Sequence, residues 1–151
     1  MNTALEIGDA LPSFSLKDQN GDLFSSLDVI GKQPIVVYFY PKNFTPGCVR
    51  EACGFRDSFQ DFTDMGAIVV GVSADSEASH QKFAKRYKLP FTLLADTKNK
   101  VRKLFGVQKG LIGLLPGRET YVFNKTGELT FKFSALGADN HIKKALKHLK
   151  S

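Results

Sequence analysis

Two runs of the sequence are almost entirely apolar and rich in β-branched or aromatic residues, Ile35–Tyr40 and Ala67–Val72. A strand with one solvated face alternates apolar and polar residues, whereas a strand covered on both faces is apolar throughout. These runs therefore predict two central strands of a sheet that is covered on both sides. Neither run approaches the roughly 18 apolar residues of a membrane-spanning helix, so no membrane partner is expected.

Helix signals separate these strands and follow them. Thr45 and Pro46 are a typical N-cap and first helical residue, and Ser76 begins a second helix that Pro90 ends. A glycine-rich connector is expected over 106–117, and Asp139 is the expected cap of the last helix. The predicted helices cover residues 45–62, 76–89, 99–105 and 139–149, and the further predicted strands cover 13–16, 23–24, 91–94, 120–123 and 129–133.

The order of these elements predicts one α/β domain over residues 1–151. Strands alternate with helices and are followed by a hairpin and a final helix, which implies a mixed sheet flanked by helices. The Asn20-Gly21 turn joins the first two short strands into an N-terminal β-hairpin. This arrangement matches a thioredoxin-like fold with an N-terminal hairpin extension.

The net charge of +6 permits attraction to anionic partners but does not establish it. Lys143, Lys144, Lys147 and Lys150 interleave with apolar residues, as on an amphipathic helix with a solvated basic face. No groove-reading helix or aromatic platform accompanies them, so we expect no nucleic-acid partner. The two cysteines and the lack of a basic and then apolar leader favour a reducing, cytoplasmic location.

Cys48 is the residue that most clearly indicates chemistry. With Thr45 as the N-cap, Cys48 is the third residue of its helix, where unpaired N–H groups and the helix dipole favour an anion. Such a position favours the nucleophilic thiolate. It also lies beyond the carboxyl end of a buried strand, the usual ligand-binding edge of an α/β sheet. The sequence therefore predicts that Cys48 is a nucleophile.

Cys53 follows five positions later. In an intact helix this spacing separates the two Cα atoms by about 8.6 Å, more than the roughly 7 Å that a disulfide tolerates. A structural disulfide is disfavoured, and so is a zinc site, because His80, His141 and His148 have no metal-ligand spacing with the cysteines. A redox couple that pairs only when the first helical turns unwind fits the spacing best.

The segment around Cys48 is part of a larger pattern. It contains Pro41, Thr45 and Cys48 in the spacing P-xxx-T-xx-C, and Gly117-Arg118-Glu119-Thr120-Tyr121 lies late in the chain. These motifs resemble the peroxidatic and arginine motifs of the peroxiredoxins. A second cysteine at position 53 is similar to the subfamily called bacterioferritin comigratory protein or peroxiredoxin Q. The resemblance extends over nearly the whole chain, through segments 8–14, 37–42, 51–57, 71–76 and 89–91.

The resemblance implies a thiol peroxidase. Cys48 would attack the peroxide O–O bond and become a sulfenic acid, and Cys53 would condense with it to give an intramolecular disulfide. Thioredoxin or a similar dithiol would reduce that disulfide. Thr45 would bind the peroxide, Arg118 would hold the thiolate and polarise the peroxide, and Pro41 would shield the site. No metal, haem or flavin is required, and a monomer is expected.

Two alternatives stay open on the sequence alone. Arg50 and Arg56 are nearer in sequence to the first cysteine than Arg118 is, so they are rival candidates for its cationic partner. A thiol–disulfide oxidoreductase of the same fold is the alternative function, although the C-x-x-C spacing of such proteins is absent.

Three residues near the nucleophile depart from the family pattern. Val49 stands where the family usually has threonine or serine, and Asn43-Phe44 stands where it usually has an acidic pair. These residues predict a more apolar, less negative mouth to the site. We therefore expect bulky alkyl hydroperoxides to be reduced at least as well as hydrogen peroxide.

Overall fold

Within the described residues, 5–107, 118–134 and 139–150, the computed structural model has one five-stranded sheet and one two-stranded hairpin. The strands are β1 (Ser15–Lys17), β2 (Leu23–Ser25), β3 (Ile35–Phe39), β4 (Ile68–Ser73), β5 (Thr92–Ala95), β6 (Glu119–Phe123) and β7 (Leu129–Ser134). The large sheet has the order β5-β4-β3-β6-β7, with parallel pairs among β3, β4 and β5 and antiparallel pairs beyond. Strands β1 and β2 form the hairpin. The predicted α/β class, mixed sheet and hairpin extension are confirmed.

Strand β3 lies in the middle of the sheet and is buried on both faces. Val36 and Tyr38 belong to one core cluster, whereas Ile35, Val37 and Phe39 belong to the other. All five side chains are at most 1% exposed. This burial on both faces explains why the run is apolar throughout instead of alternating.

Helices cover both faces of the sheet. Those of the described residues are α1 (Pro46–Asp57), α2 (Phe59–Asp64), α3 (Glu77–Tyr87), α4 (Lys100–Phe105) and α5 (Asp139–Lys150). Phe55, Phe62, Phe83 and Ile142 bring α1, α2, α3 and α5 into the core cluster that also contains Cys48. Helix α4 lies on the opposite face, where Phe105 belongs to the second cluster. Helix α1 begins directly beyond the carboxyl end of β3, as predicted.

The predicted helix over 45–62 is two helices, because the backbone breaks at Ser58. Its φ of −100° and ψ of 7° end α1, and α2 continues from the next residue. Serine is a weak helix former in helix interiors because its side chain competes for backbone hydrogen bonds. Both Phe55 of α1 and Phe62 of α2 are completely buried. The apolar spacing that predicted one helix thus belongs to two helices that share one core.

Parts of two predictions lie outside the described residues. The connector over 106–117 is described only at 106–107. Helix α5 begins at Asp139, but the capping side chain of that residue lies outside the description. Among the helices that are described, none is long and apolar enough to cross a membrane.

Candidate active site

Helix α1 holds Cys48 in its first turn, as the sequence predicts. Thr45 is the N-cap with extended backbone, and Pro46 is the first helical residue. The first helical hydrogen bond runs from the N–H of Val49 to the carbonyl of Thr45 (2.9 Å). The N–H groups of Gly47 and Cys48 therefore precede the helical ladder and have no acceptor within the helix. The Cys48 side chain is buried.

The Thr45 hydroxyl does not cap the helix, although the residue occupies the N-cap position. It donates a hydrogen bond to the carbonyl of Lys42 (2.8 Å) instead. The loop makes a tight turn here, because Phe44 has a φ of +67°, in the left-handed region that bulky residues rarely adopt. Pro41 is half-buried at the start of this loop, directly after the buried Tyr40. The expected hydroxyl cap is therefore wrong, and the hydroxyl closes the loop.

Arg118 is the cation next to Cys48. Its Nη2 donates to the Cys48 sulfur at 3.5 Å, and its Nη1 donates to the carboxylate of Glu51. Burial lowers the pKa of Arg118, but the interactions with Glu51 and Cys48 together raise it by more than burial lowers it. The net shift of the pKa is upward, so the guanidinium stays charged. A β-carbon on Gly47 would lie 3.0 Å from Nη2. The absence of a side chain at Gly47 thus allows the guanidinium to approach the sulfur.

The two rival arginines lie elsewhere. Arg50 is exposed on α1. Arg56 is also on α1 and donates to the carboxylate of Asp57 (3.0 Å) and to the carbonyl of Tyr87 (2.7 Å). Sequence proximity is therefore misleading here. Arg50 is two residues after Cys48 and lies on another face of the helix, and Arg56 is eight residues after Cys48 and lies more than two turns away.

Glu51 is a buried member of the site that the sequence argument left without a role. It lies three residues after Cys48, on the same face of α1, and its side chain is fully buried. Its Oε1 accepts from Arg118, and within the described part of the chain its Oε2 has no hydrogen-bond partner. Burial raises the pKa of Glu51 from 4.5 to about 7, although Arg118 opposes the shift. An acidic residue at an apolar helical position is the signal that could have identified it.

His141 and Thr120 complete this group of buried polar residues. His141 is on α5 and its Nδ1 lies 2.7 Å from the Thr120 hydroxyl and 3.8 Å from Glu51 Oε2. Both residues are fully buried. We call Glu51, Arg118, Thr120 and His141 the charged cluster.

A second buried group anchors the loop that precedes α1. Asn43 accepts from the Tyr40 hydroxyl (2.6 Å), and its amide nitrogen lies 3.0 Å from His80 Nδ1. Its backbone N–H donates to Asp75 (2.9 Å), and its side chain also donates to Ser79 (3.1 Å). We call Tyr40, Asn43, Asp75, Ser79 and His80 the loop cluster. It connects the loop to the end of β4 and to α3.

Cys53 is half-buried on the same continuous helix as Cys48, and both thiols are free. Five helical residues separate the Cα atoms by about 8.6 Å, so the thiols do not pair while α1 is intact. Among the described residues, no three His, Cys, Asp or Glu side chains cluster as metal ligands would.

Comparison with known proteins identifies the family. Residues 7–132 match the model of the AhpC/TSA family. The chain is a peroxiredoxin. It is 52% identical over 145 residues to the chloroplastic peroxiredoxin Q of Sedum lineare, a match that covers 95% of this chain and 77% of that protein. The resemblance to the peroxiredoxin Q subfamily is thereby confirmed.

Solved peroxiredoxin structures share the fold. Peroxidoxin BcpB of Mycobacterium tuberculosis superimposes with a TM-score of 0.88 at 35% identity, covering 97% of each chain. The bacterioferritin comigratory protein of Xanthomonas campestris superimposes with a TM-score of 0.84 at 27% identity, covering 94% of this chain and 98% of that one. The thioredoxin-like fold and the thiol peroxidase activity expected of this peroxiredoxin are confirmed.

The expected cytoplasmic location is wrong. The curated relatives from Sedum and other plants are chloroplastic proteins, not cytoplasmic ones. A low cysteine count argues only against an oxidising, secreted environment. It does not distinguish one reducing compartment from another.

Proposed function

We propose that this peroxiredoxin works with two cysteines of one chain, Cys48 as the peroxidatic residue and Cys53 as the resolving residue. The observation that carries the proposal is the buried Cys48 sulfur at the N-terminus of α1 with Arg118 Nη2 at 3.5 Å. A helix N-terminus and a guanidinium both stabilise an anion. The thiolate is the form that attacks peroxides.

In the first step the Cys48 thiolate attacks one peroxide oxygen. The S–O bond forms as the O–O bond breaks, and the leaving oxygen takes up a proton and departs as water or an alcohol. Arg118 stabilises the charge that moves from sulfur to the leaving oxygen. Thr45 lies at the entrance to α1, where its hydroxyl can turn from the Lys42 carbonyl to the peroxide, and Pro41 limits the access of water.

In the second step the Cys53 thiolate attacks the sulfenic sulfur of Cys48. The S–S bond forms, and the hydroxyl group leaves as water after it takes up a proton. Because the two Cα atoms are too far apart in the intact helix, the first turns of α1 must unwind. We expect the oxidised protein to lose amide-exchange protection over 48–53, while the amide of Asn43, bound to Asp75, keeps its protection. Equal protection over 48–53 in both redox states would contradict the unwinding.

In the third step a dithiol such as thioredoxin reduces the disulfide by exchange, which takes up two electrons and restores both thiols. Cys53 is half-buried, and Cys48 becomes accessible when the helix unwinds. Since both cysteines belong to one chain, the cycle needs no second subunit. We therefore propose a monomer.

Intact-mass spectrometry after one equivalent of hydrogen peroxide tests the two cysteine roles. The wild type should lose about two mass units as the disulfide forms, and Cys53→Ser should hold a trappable sulfenic acid on Cys48. Cys48→Ser is the matched control and should not change in mass. Full steady-state turnover of Cys53→Ser with thioredoxin would refute the resolving role of Cys53.

We further propose that alkyl hydroperoxides are good substrates. Phe44 is 49% exposed at the loop before α1, and its ring packs edge-on against Phe83 at 5.1 Å. Val49 is half-buried and packs against the core, whereas Phe44 is an exposed apolar side chain four residues before Cys48. The structure of the Xanthomonas campestris relative was described for its alkyl peroxide reduction activity. A large preference for hydrogen peroxide over cumene hydroperoxide, unchanged in Phe44→Asp, would refute this substrate preference.

A further inference from the structure

His141 is a buried titratable residue that the proposed cycle does not use. It lies on α5, on the far side of Glu51 from the peroxide-reactive sulfur, and its ring packs edge-on against Phe133 at 4.7 Å. Its Nδ1 faces both the Thr120 hydroxyl and Glu51 Oε2. Arg118 immediately precedes β6 and Thr120 is the second residue of that strand, a spacing of two that places both side chains on the same side of an extended chain.

The charges around Glu51 do not balance without a further proton. When Cys48 is a thiolate, the single guanidinium of Arg118 faces two buried anions, the thiolate and the Glu51 carboxylate. Tyr38 of β3 and Tyr40, which directly follows β3, also interact electrostatically with Glu51. Burial raises the pKa of each, so they remain neutral. A buried carboxylate without full compensation is costly.

We propose that His141 is a positioning residue of the peroxidase reaction, whose protonated ring offsets the charge of the Glu51 carboxylate across 3.8 Å and so leaves Arg118 available to the sulfur of Cys48. This inference rests on the proposed role of Cys48. With the proton near Glu51 Oε2, the carboxyl group attracts the guanidinium less strongly, and the second arm of the fork can hold the thiolate. Without it, the full carboxylate competes with the sulfur for the same cation.

Three observations support this assignment. The Glu51 oxygen that faces His141 is the one with no hydrogen bond in the described part of the chain. The Thr120 hydroxyl lies 2.7 Å from Nδ1 and holds the ring in a position where the same Nδ1 is 3.8 Å from Glu51 Oε2, close enough for an ion pair. The raised pKa of Glu51, about 7, means that a proton is readily held at this carboxyl group near neutral pH.

The test is the pH profile of Cys48 alkylation by iodoacetamide, measured in Cys53→Ser so that one thiol reacts. His141→Gln keeps a hydrogen-bond donor but cannot carry a charge. We expect the alkylation midpoint to move upward by about one pH unit, which is a tenfold slower reaction below the midpoint. His148→Gln is the matched control, because His148 is on the same helix and stacks on Phe131 at 3.7 Å. It should leave the midpoint unchanged.

A double-mutant cycle distinguishes this role from a purely structural one. In a Glu51→Gln background, His141→Gln should have no additional effect on the midpoint, because its action passes through the carboxylate. An equal shift in both backgrounds, or no shift in a folded His141→Gln protein, would overturn the proposal. If His141→Gln does not fold, Thr120→Val keeps the shape of residue 120 and should give a smaller upward shift, and an unchanged midpoint would overturn the proposal.

The outcome is independent of turnover. If Cys48 proves unreactive toward peroxide in the mass experiment, the proposed function fails, whereas the alkylation midpoint still reports the coupling between His141 and the thiol. A shifted midpoint together with normal peroxide reactivity supports both conclusions.

Discussion

Two buried polar clusters contact the segment that carries Cys48, and they stabilise it by different interactions. The loop cluster binds the chain before α1 through hydrogen bonds, because Asn43 contacts the other four side chains of the cluster. The charged cluster binds α1 itself through the ion pair of Glu51 and Arg118. The loop cluster is therefore fixed by hydrogen-bond geometry, whereas the charged cluster depends on the ionisation of its members.

The tautomer of His80 shows why the loop cluster is independent of the thiol. His80 Nε2 lies 2.9 Å from the Leu94 carbonyl, so it must be the donor, and Nδ1 then accepts from Asn43. Burial lowers the pKa of His80, so this neutral form persists. The charged cluster instead contacts the sulfur that we propose is oxidised from thiolate to neutral sulfenic acid. We therefore expect oxidation to weaken the interactions that hold α1 and to leave those of the loop unchanged.

Arg118→Ala should have the largest effect, because it removes the cation from the charged cluster. We expect peroxidase kcat/KM to fall by roughly 10²- to 10³-fold through lost stabilisation of the reacting oxygen. We also expect the free energy of unfolding to fall by about 3–5 kcal/mol at pH 8, because the Glu51 carboxylate is left buried without its partner. Stopped-flow kinetics and urea denaturation measure the two effects.

Arg56→Ala is the control for that substitution. The Arg56 ion pair with Asp57 is solvated and its hydrogen bond to the Tyr87 carbonyl is partly buried, so the substitution should cost no more than about 2 kcal/mol and leave the reaction with peroxide intact. A folded Arg118→Ala protein with undiminished activity would show that the charged cluster does not act on the thiol.

The sequence predicted the elements whose signals are local. The apolar run of β3, the Thr45-Pro46 helix start and the position of Cys48 depend on neighbouring residues, and all three are observed. The break at Ser58 was missed, because the spacing of apolar residues is the same for one long helix and for two that share a core. Motif resemblance rather than proximity selected Arg118, and the structure places it beside the sulfur.

The two clusters could not be predicted because their members are far apart in the chain. His141 reaches Glu51 only because α5 packs beside α1, and His80 reaches Asn43 only because α3 follows β4 at the same edge of the sheet. A lone buried histidine gives no local pattern. Each pairing is a consequence of tertiary packing, which a single sequence does not encode in any short segment.

Glu51→Gln should remove a pH dependence of stability that belongs to the charged cluster. The pKa of Glu51 in the folded protein, about 7, is above 4.5 in the unfolded chain, so the folded state binds more protons between these values. The stability contribution is fully present below pH 4.5 and is lost as the pH rises through 7. Urea denaturation from pH 4.5 to 8 should therefore show a steeper decline for the wild type than for Glu51→Gln.

Glu6→Gln serves as the comparison for the pH experiment, because Glu6 is exposed and remote from the charged cluster. Its profile should parallel that of the wild type. If the stability of Glu51→Gln also changed with pH in parallel with the wild type, the pKa of Glu51 would be the same in the folded and unfolded states. The charged cluster would then not differ from the loop cluster in its dependence on ionisation.

Asn43→Ala should have a smaller effect, and on stability more than on pH dependence. It leaves the Tyr40 hydroxyl and His80 without their shared partner, which should lower the free energy of unfolding by about 1–3 kcal/mol. Gln60→Ala removes an exposed hydrogen bond to Asp64 and should change it by less than about 0.5 kcal/mol. If the loss in Asn43→Ala varied strongly between pH 6 and 8, the loop cluster would also be controlled by ionisation.

Gly47→Ala should have the smallest effect on stability and yet reduce activity. Alanine favours the helix by up to about 1 kcal/mol over glycine, but its β-carbon would lie 3.0 Å from Arg118 Nη2. The guanidinium must then shift by a few tenths of an ångström, and we expect kcat/KM to fall by roughly 3- to 10-fold, since misplacement by 1 Å can cost about 100-fold. Thermal denaturation and peroxidase kinetics measure the two effects separately.

Gly54→Ala, on the same helix, should lower stability and leave activity unchanged, the opposite of what we expect for Gly47→Ala. Its β-carbon would lie 2.9 Å from Ile142 Cδ1, in the contact between α1 and α5, and away from Arg118. We expect lower thermal stability with normal activity per folded molecule. Full activity of Gly47→Ala would show that the Arg118 guanidinium can be displaced without loss of function. Its effect on the sulfur would then depend on its charge and not on the close approach that Gly47 permits.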